Sequence, residues 1–182
     1  TVDNHTYKVL VPDGTTGVQP TLMFIGTTVS GHLNIPSEVR DGKGISFKVT
    51  AVGSHGSAYK CEGVTSITLP ETIETIEKSS FCDAQVAKIT IPKNVSKIEP
   101  TAWLSMKAIP EFEVVTDNPY FDSDSDGVLY TENKKDLRAV PSNIAEKKGE
   151  TYTIDASVKS INKAAFHMNP GLKKVVLPPN LE

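Results

Sequence analysis

Asp122, Asp124 and Asp126 precede Gly127, and an EF-hand calcium loop begins with this spacing. In such a loop, carboxylate oxygens at alternate positions coordinate the ion and the glycine permits a sharp turn. The twelfth position is Asn133 instead of the required bidentate Glu, and neither flank has the pattern of a helix. Two interpretations therefore stay open: a weak site for a hard cation, or an exposed acidic hairpin turn.

Histidine and serine offer no comparable pattern. His5, His32, His55 and His167 are far apart in the sequence, and none belongs to a His-x-x-x-His pair of the kind that binds zinc. Ser54 precedes His55, but the chain lacks a Gly-x-Ser-x-Gly turn, and a loop histidine is the favoured interpretation. The glycines mark turns and form no phosphate-binding loop. We therefore assign no catalytic residue, no metal ligand and no cofactor, and we expect no enzymatic activity.

A sequence repeat determines which strands and turns position the side chains considered above. Residues 67–81, with the sequence ITLPETIETIEKSSF, recur 22 residues later as ITIPKNVSKIEPTAW at 89–103. The positions that are apolar in both copies are Ile67, Leu69, Ile73, Ile76 and Phe81. A repeat of this length cannot bury its apolar face alone and must stack on its neighbours, which predicts a solenoid.

Partial copies extend the repeat towards the N-terminus. An imperfect copy begins at residues 33–39 and resumes after an Asp-Gly hairpin signal, so that Val52 corresponds to Ile76. The segment that follows is slightly longer than its counterpart. Tyr59 is our prediction for the residue in the position of Phe81.

The repeat also continues towards the C-terminus. Residues 152–166 match the copy at 67–81, and residues 175–181 begin another. The sequence ends within that coil, so we expect either that the native chain continues past Glu182 or that the last half-turn was lost.

The repeat divides the chain into a cap and a solenoid. Residues 1–32 do not follow the repeat and contain two β-type runs separated by a turn, which predicts a small β cap. Residues 33–182 form the predicted solenoid. The repeat pattern is absent at about 113–150. We interpret this segment as an irregular insertion with one or two hairpins, because Asp126 and Gly127 precede a strand-like run.

Side-chain alternation along each short strand defines two faces. Val64, Ile67 and Leu69 point inward, whereas the residues between them point outward. If the strands stack in parallel, the outward positions form one continuous face, the usual binding surface of curved solenoids. These candidate binding residues are Ser66, Thr68, Lys88, Thr90, Glu111, Glu113, Thr153, Lys174 and Val176. The alternative is a solvated sheet face without a partner.

Two cysteines, Cys61 and Cys82, lie roughly one repeat apart, so they could occupy adjacent coils. Their number suits neither a dense disulfide framework nor a metal site. Two free thiols and one disulfide both remain open.

The repeat motif resembles that of the BspA-like leucine-rich repeat family of bacterial cell-surface proteins. The motif reads Leu/Val-x-x-Ile-x-Leu/Ile-Pro-x-x-Val/Ile-x-x-Ile-x-x-x-Ala/Ser-Phe. The resemblance covers about residues 33–182, with local departures at Trp103 and Asp155. It implies a leucine-rich repeat right-handed solenoid, mainly β with short parallel strands and few short helices. It also implies an exported bacterial protein, cell-surface or secreted, that acts in adhesion or protein binding without catalysis.

The composition limits the classes of partner that the protein can bind. The net charge of −3 and the scattered Lys and Arg argue against nucleic acid, whose binding needs a basic stripe. The apolar runs are too short to cross a bilayer. We expect a protein partner, such as a host matrix or surface protein. The alternative function is a glycan- or calcium-dependent binding module that uses residues 117–130.

Overall fold

The computed structural model describes residues 1–14, 16–53 and 60–182. Within these residues the chain is mainly β, with one short helix, α1 (Ile144–Lys148), and a 3-10 turn at Glu132–Lys134. The N-terminal strands are β1 (His5–Val11), β2 (Thr21–Thr27), β3 (Gly31–Asn34), β4 (Glu38–Arg40) and β5 (Ser46–Val52). The central strands are β6 (Val64–Thr68), β7 (Thr75–Ile76), β8 (Lys88–Ile91), β9 (Lys97–Ile98) and β10 (Glu111–Val114). The C-terminal strands are β11 (Phe121–Ser123), β12 (Leu129–Thr131), β13 (Asp136–Ala139), β14 (Thr151–Thr153), β15 (Ser160–Ile161) and β16 (Lys174–Val176).

The strands form the two sides of a solenoid. On one side, parallel pairs join β3 to β6, β8 to β10 and β14 to β16. On the return side, β2, β5, β7 and β9 form a parallel ladder, and β13 pairs in parallel with β15. A mainly β solenoid with short parallel strands and little helix is therefore confirmed.

The N-terminal hairpin closes one end of this solenoid. β1 pairs antiparallel with β2, and β2 in turn lies parallel to β5, where it takes the place of a return strand. Phe24 on β2 is 1% exposed and lies 6.4 Å from the ring of Phe81. The hairpin thus covers apolar surface of the first coil, as expected for a cap. The domain boundary between residues 32 and 33 stays a prediction.

Repeated apolar positions fill the interior. Val52 lies opposite Ile76, and Ile76 lies opposite Ile98, so one buried column runs through successive coils. Each such side chain contributes about 1.5–3 kcal/mol when fully buried. Trp103 is also buried, and its ring lies 4.9 Å from the ring of Phe112, so it fills part of the core. Tyr59 lies outside the described residues.

The insertion separates two apolar cores. Leu129 on β12 belongs to the larger, N-terminal core, whereas its neighbours Val128 and Tyr130 belong to the smaller, C-terminal core. Because side chains alternate between the two faces of a strand, β12 packs against both cores. β12 lies between β11 and β13 in antiparallel pairs. In the part of the chain that the structure describes, no helix has the length and apolar character needed to span a bilayer.

Candidate binding surface

The first part of the predicted face lies on β3 and β6. Ser66 and Thr68 are exposed, and they lie beside His32 and Asn34, which are also exposed. The His32 ring contacts both candidate residues, with Nδ1 2.9 Å from Ser66 Oγ and Nε2 3.3 Å from Thr68 Oγ1. His32 and Asn34 are absent from the predicted face because the repeat is imperfect there, although side-chain alternation along β3 indicates them.

The next pair of strands carries the charges. Lys88 lies opposite Glu111 and Thr90 opposite Glu113 in the parallel pair of β8 and β10. Lys88 Nζ is 2.7 Å from Glu113 Oε2, and more than half of each side chain is exposed. The hydrogen bond from Lys88 lowers the pKa of Glu113, since it stabilises the carboxylate. This part of the face is therefore a solvated ion pair between polar neighbours.

Glu111 is held differently, by groups from the insertion and α1. Its Oε1 accepts hydrogen bonds from Asn143 Nδ2 at 2.7 Å and from Lys147 Nζ at 2.8 Å. Both hydrogen bonds lower the pKa of the Glu111 carboxyl, and the bond from Lys147 has the larger effect. Gly127 approaches so closely that an added Cβ would lie 2.7 Å from the Glu111 Cβ. Glu111 therefore anchors the insertion to the solenoid.

The structure divides the predicted continuous face into two parts. The free edge of β10 is occupied by the insertion: Phe112 N donates to Gly127 O at 2.9 Å, and Val114 N donates to Ser123 Oγ at 2.9 Å. β14 consequently pairs with β16 and not with β10. Continuity across β10 and β14 was thus wrong, because the insertion supplies the acceptors that a further parallel strand would have supplied.

The second part of the face is formed by β14 and β16. Thr153 lies opposite Val176, and Lys174 lies opposite Thr151; all four are exposed. Lys174 makes no salt bridge within the described residues. This part is smaller and less charged than the first.

The cavity beside β14 has a volume of about 360 Å³, near the lower end of the range of about 300–1,000 Å³ that is usual for ligand pockets. It is lined by Asp124, Asp126, Tyr130, Lys148, Thr151, Tyr152, Thr153 and Asp155. Tyr130 donates its hydroxyl proton to Asp124 Oδ2 at 3.0 Å, and the hydroxyl oxygens of Tyr130 and Tyr152 are 3.4 Å apart. Burial raises the pKa of both phenols, so both remain protonated donors.

The three aspartates of the calcium-like stretch are engaged separately. Asp124 Oδ1 accepts from the backbone N–H of Asp126 and of Val128, both at 3.0 Å, which closes the hairpin turn. Asp126 Oδ2 pairs with Lys148 Nζ at 2.8 Å, and Asp122 Oδ1 accepts from the backbone N–H of its neighbour. Within residues 1–14, 16–53 and 60–182, no group of three or more His, Cys, Asp or Glu side chains is arranged to hold a metal ion. These contacts match the acidic hairpin turn.

The remaining candidates are the cysteines and the Ser54–His55 pair. Cys61 and Cys82 lie on adjacent coils, as their spacing predicted, and Cys61 N donates to Cys82 O at 2.7 Å. Both thiols are free; Cys61 is buried and Cys82 is partly exposed. Burial raises the pKa of Cys61 to about 12 and also raises the pKa of Cys82. Ser54 and His55 lie outside the described residues.

The repeat can now be compared with known families. The family model for the BspA type leucine rich repeat region matches residues 45–125 and 142–182, in six copies. The chain belongs to the BspA-type leucine-rich repeat family. The segment between the two matches contains β12 and β13, so this BspA-type chain departs from the family pattern where the insertion splits its core.

Solved structures share the fold of this BspA-type protein. A leucine-rich repeat protein from Eubacterium ventriosum is 20% identical with a TM-score of 0.56, over 97% of this chain and 59% of that one. A leucine-rich repeat protein from Bacteroides ovatus is 21% identical with a TM-score of 0.52, over 100% of this chain and 42% of that one. The pneumococcal vaccine antigen PcpA is 16% identical with a TM-score of 0.52, over 99% of this chain and 70% of that one.

The chain therefore spans 59% of the length of the Eubacterium ventriosum structure. No curated protein matches this BspA-type chain in sequence.

Proposed function

We propose that this BspA-type repeat protein binds a protein partner through the outward face of β3, β6, β8 and β10. The observation that carries the proposal is the alignment of exposed polar side chains on parallel-paired strands. Ser66 and Thr68 lie in one pair of strands, and Lys88, Thr90 and Glu113 lie in the next. Within each pair the strand backbones are hydrogen-bonded to each other, so the side chains of that pair are presented at fixed spacing, which lowers the entropy cost of binding.

The chemistry of the face suits a polar protein surface. A neutral region around His32, Ser66 and Thr68 adjoins the Lys88–Glu113 pair. Charges of both signs at fixed positions favour a partner with the complementary arrangement, and they contribute to specificity and association rate. Glu111 takes a positioning role, since its carboxylate is already bonded to Asn143 and Lys147.

The strands β14 and β16 extend the proposed surface beyond the insertion. Thr153, Lys174 and Val176 are exposed there, beside the polar cavity that Tyr130 and Tyr152 line. A partner that contacts both parts would have to pass over the turn at Asp124–Gly127.

The role is non-enzymatic, and its place is the surface or the exterior of a bacterial cell. Membership of the BspA-type family supports this, because the resemblance implies exported proteins that act in adhesion. Host matrix or host surface proteins are the partner class that follows from such a location.

Charge reversal tests the face. We expect Lys88→Glu and Glu113→Lys, made singly, to weaken binding to at least one protein in a panel of purified host matrix proteins about tenfold or more, measured by biolayer interferometry. The matched control reverses Lys93 or Asp117, an exposed pair at 2.7 Å that joins the same two coils beyond the strands. Equal loss in both sets, or loss in neither, would contradict a site on the strand face.

A further inference from the structure

A groove lies along the corner edge of the solenoid, where each coil turns from its return strand towards the next strand face. Residues 101–108 form one side of the groove and residues 161–170 form the other. Two cavities follow these segments. One of about 770 Å³ is lined by Thr101, Leu104 and residues 161–167, and one of about 580 Å³ is lined by Lys107, Ala108, Ser142 and residues 168–170.

The groove exists because one coil has a short corner. Between the two clear repeats, consecutive corners are bonded directly: Ser79 N donates to Thr101 O at 3.0 Å, and Asp83 N donates to Ser105 O at 2.7 Å. After β13, the chain passes through residues 140–143 straight into α1. Val140 N there donates to Ala165 O at 2.8 Å. This short connection forms the floor, and the two full corners stand on either side.

The short corner leaves two backbone donors open. Thr101 and Ser105 occupy the repeat positions of Ser79 and Asp83, whose N–H groups donate to the next corner. Within the described residues, the N–H groups of Thr101 and Ser105 donate to no carbonyl, and both residues are only partly buried. A carbonyl-bearing backbone laid in the groove would supply the acceptors that a full corner supplies elsewhere.

The lining combines apolar side chains and neutral polar ones, among them Asn162 and Asn169, with a positive rim. Leu104 and Phe166 are partly buried, and Met168 is 41% exposed. Lys107 and Lys163 line the cavities and make no salt bridge within the described residues. The described lining contains no carboxylate.

From these observations we propose that the groove is a docking site for an extended, acidic peptide segment of a partner protein. The partner's carbonyls accept from Thr101 and Ser105, its apolar side chains contact Leu104 and Met168, and its carboxylates pair with the two lysines. An extended segment is required because the groove runs along two parallel corner segments. This site lies on a different edge from the strand face and does not depend on it.

The test uses the intact chain and synthetic peptides. The probe is a fluorescein-labelled peptide in which Asp and Leu alternate, compared with an Asn-Leu peptide of the same length. We expect the acidic peptide to bind by fluorescence anisotropy and to shift the amide NMR signals of Thr101 and Ser105. We expect Lys107→Glu with Lys163→Glu to weaken binding at least about tenfold. Lys43→Glu with Lys135→Glu, at two exposed lysines outside the groove, is the control with the same change in net charge.

A neutral variant separates shape from charge. Ala164→Trp places a bulky side chain in the groove, and we expect it to reduce binding while the circular dichroism spectrum stays that of the native chain. Four results would overturn the proposal: no shift at Thr101 and Ser105, equal binding of the Asn-Leu peptide, equal loss in the control pair, or equal shifts with a heparin oligosaccharide. The last result would identify a general polyanion surface instead.

Discussion

Phe112 donates its backbone N–H to the carbonyl of Gly127 at 2.9 Å, and this hydrogen bond ends the parallel stacking of the strand face. In an uninterrupted solenoid, that donor would face the next parallel strand. Here the insertion supplies the acceptor, so β14 begins a separate pair with β16. The contact also brings the turn at Gly127 against Glu111 and fixes the boundary between the two apolar cores.

We predict that Gly127→Ala lowers the free energy of unfolding by more than the cost of placing alanine in a left-handed backbone conformation. Gly127 has φ +80°, a conformation that costs a side-chain-bearing residue about 1–3 kcal/mol. The new Cβ would also lie 2.7 Å from the Glu111 Cβ. Gly44→Ala is the matched control, since Gly44 donates to Asp41 O as Gly127 does to Asp124 O, its φ is +84°, and nothing lies within 4 Å of the added Cβ. Urea denaturation measures both; equal losses in the free energy of unfolding would show that the contact with Glu111 is unimportant.

A second prediction concerns the large side chain at the corner of the second clear repeat. Trp103 is 5% exposed and lies 4.9 Å from the ring of Phe112. Trp103→Ala should reduce the free energy of unfolding by about 3–5 kcal/mol, because it leaves a cavity in the core. Trp103→Phe should recover most of that loss, since Phe81 is buried at the same position of the preceding copy. If the Phe variant were as unstable as the Ala variant, Trp103 would have a role other than filling.

The sequence could predict the coils because their apolar positions are dictated locally. Ile76 lies on the short return strand β7 and Ile73 lies just before it, and both buried side chains are repeated from copy to copy, so periodicity alone indicates them. The division of the core at β12 could not be predicted in the same way. Leu129 and Tyr130 are neighbours that enter different cores, and this depends on which long-range strands flank β12.

The candidate surface was predictable only where strand pairing continues from coil to coil. Alternation assigned Lys88 and Glu113 to one face, and the structure joins them in an ion pair. Glu111 follows the same alternation, yet its carboxylate is bonded to Asn143 and Lys147. Those partners come from a segment without the repeat, so no periodic pattern could place them. The groove beside Thr101 escapes sequence reasoning for the same reason.

The bonds to Glu111 predict an acid-sensitive contribution to stability. Its pKa lies below the ordinary value of 4.5 in the folded chain, because Lys147 and Asn143 stabilise the carboxylate. The contribution is therefore present above the unfolded pKa and is lost as pH falls through the folded pKa. We expect Glu111→Gln to flatten the decline of the free energy of unfolding between about pH 5 and 3. Glu146→Gln, an exposed change on α1, is the control and should leave the decline as in the native chain.

The two thiols should differ in reactivity although their backbones are bonded. Burial raises the pKa of Cys61 to about 12, so almost none of this thiol is ionised at pH 8. Cys82 is partly exposed, and its pKa is also raised, mainly by burial. We expect iodoacetamide at pH 8 to label Cys82 slowly and Cys61 only when the chain opens, with the modified residues identified by mass spectrometry. In urea both should react at the same rate, because the burial that separates them is gone. Labelling of native Cys61 as fast as Cys82 would mean that the contact between their coils opens readily in the folded chain.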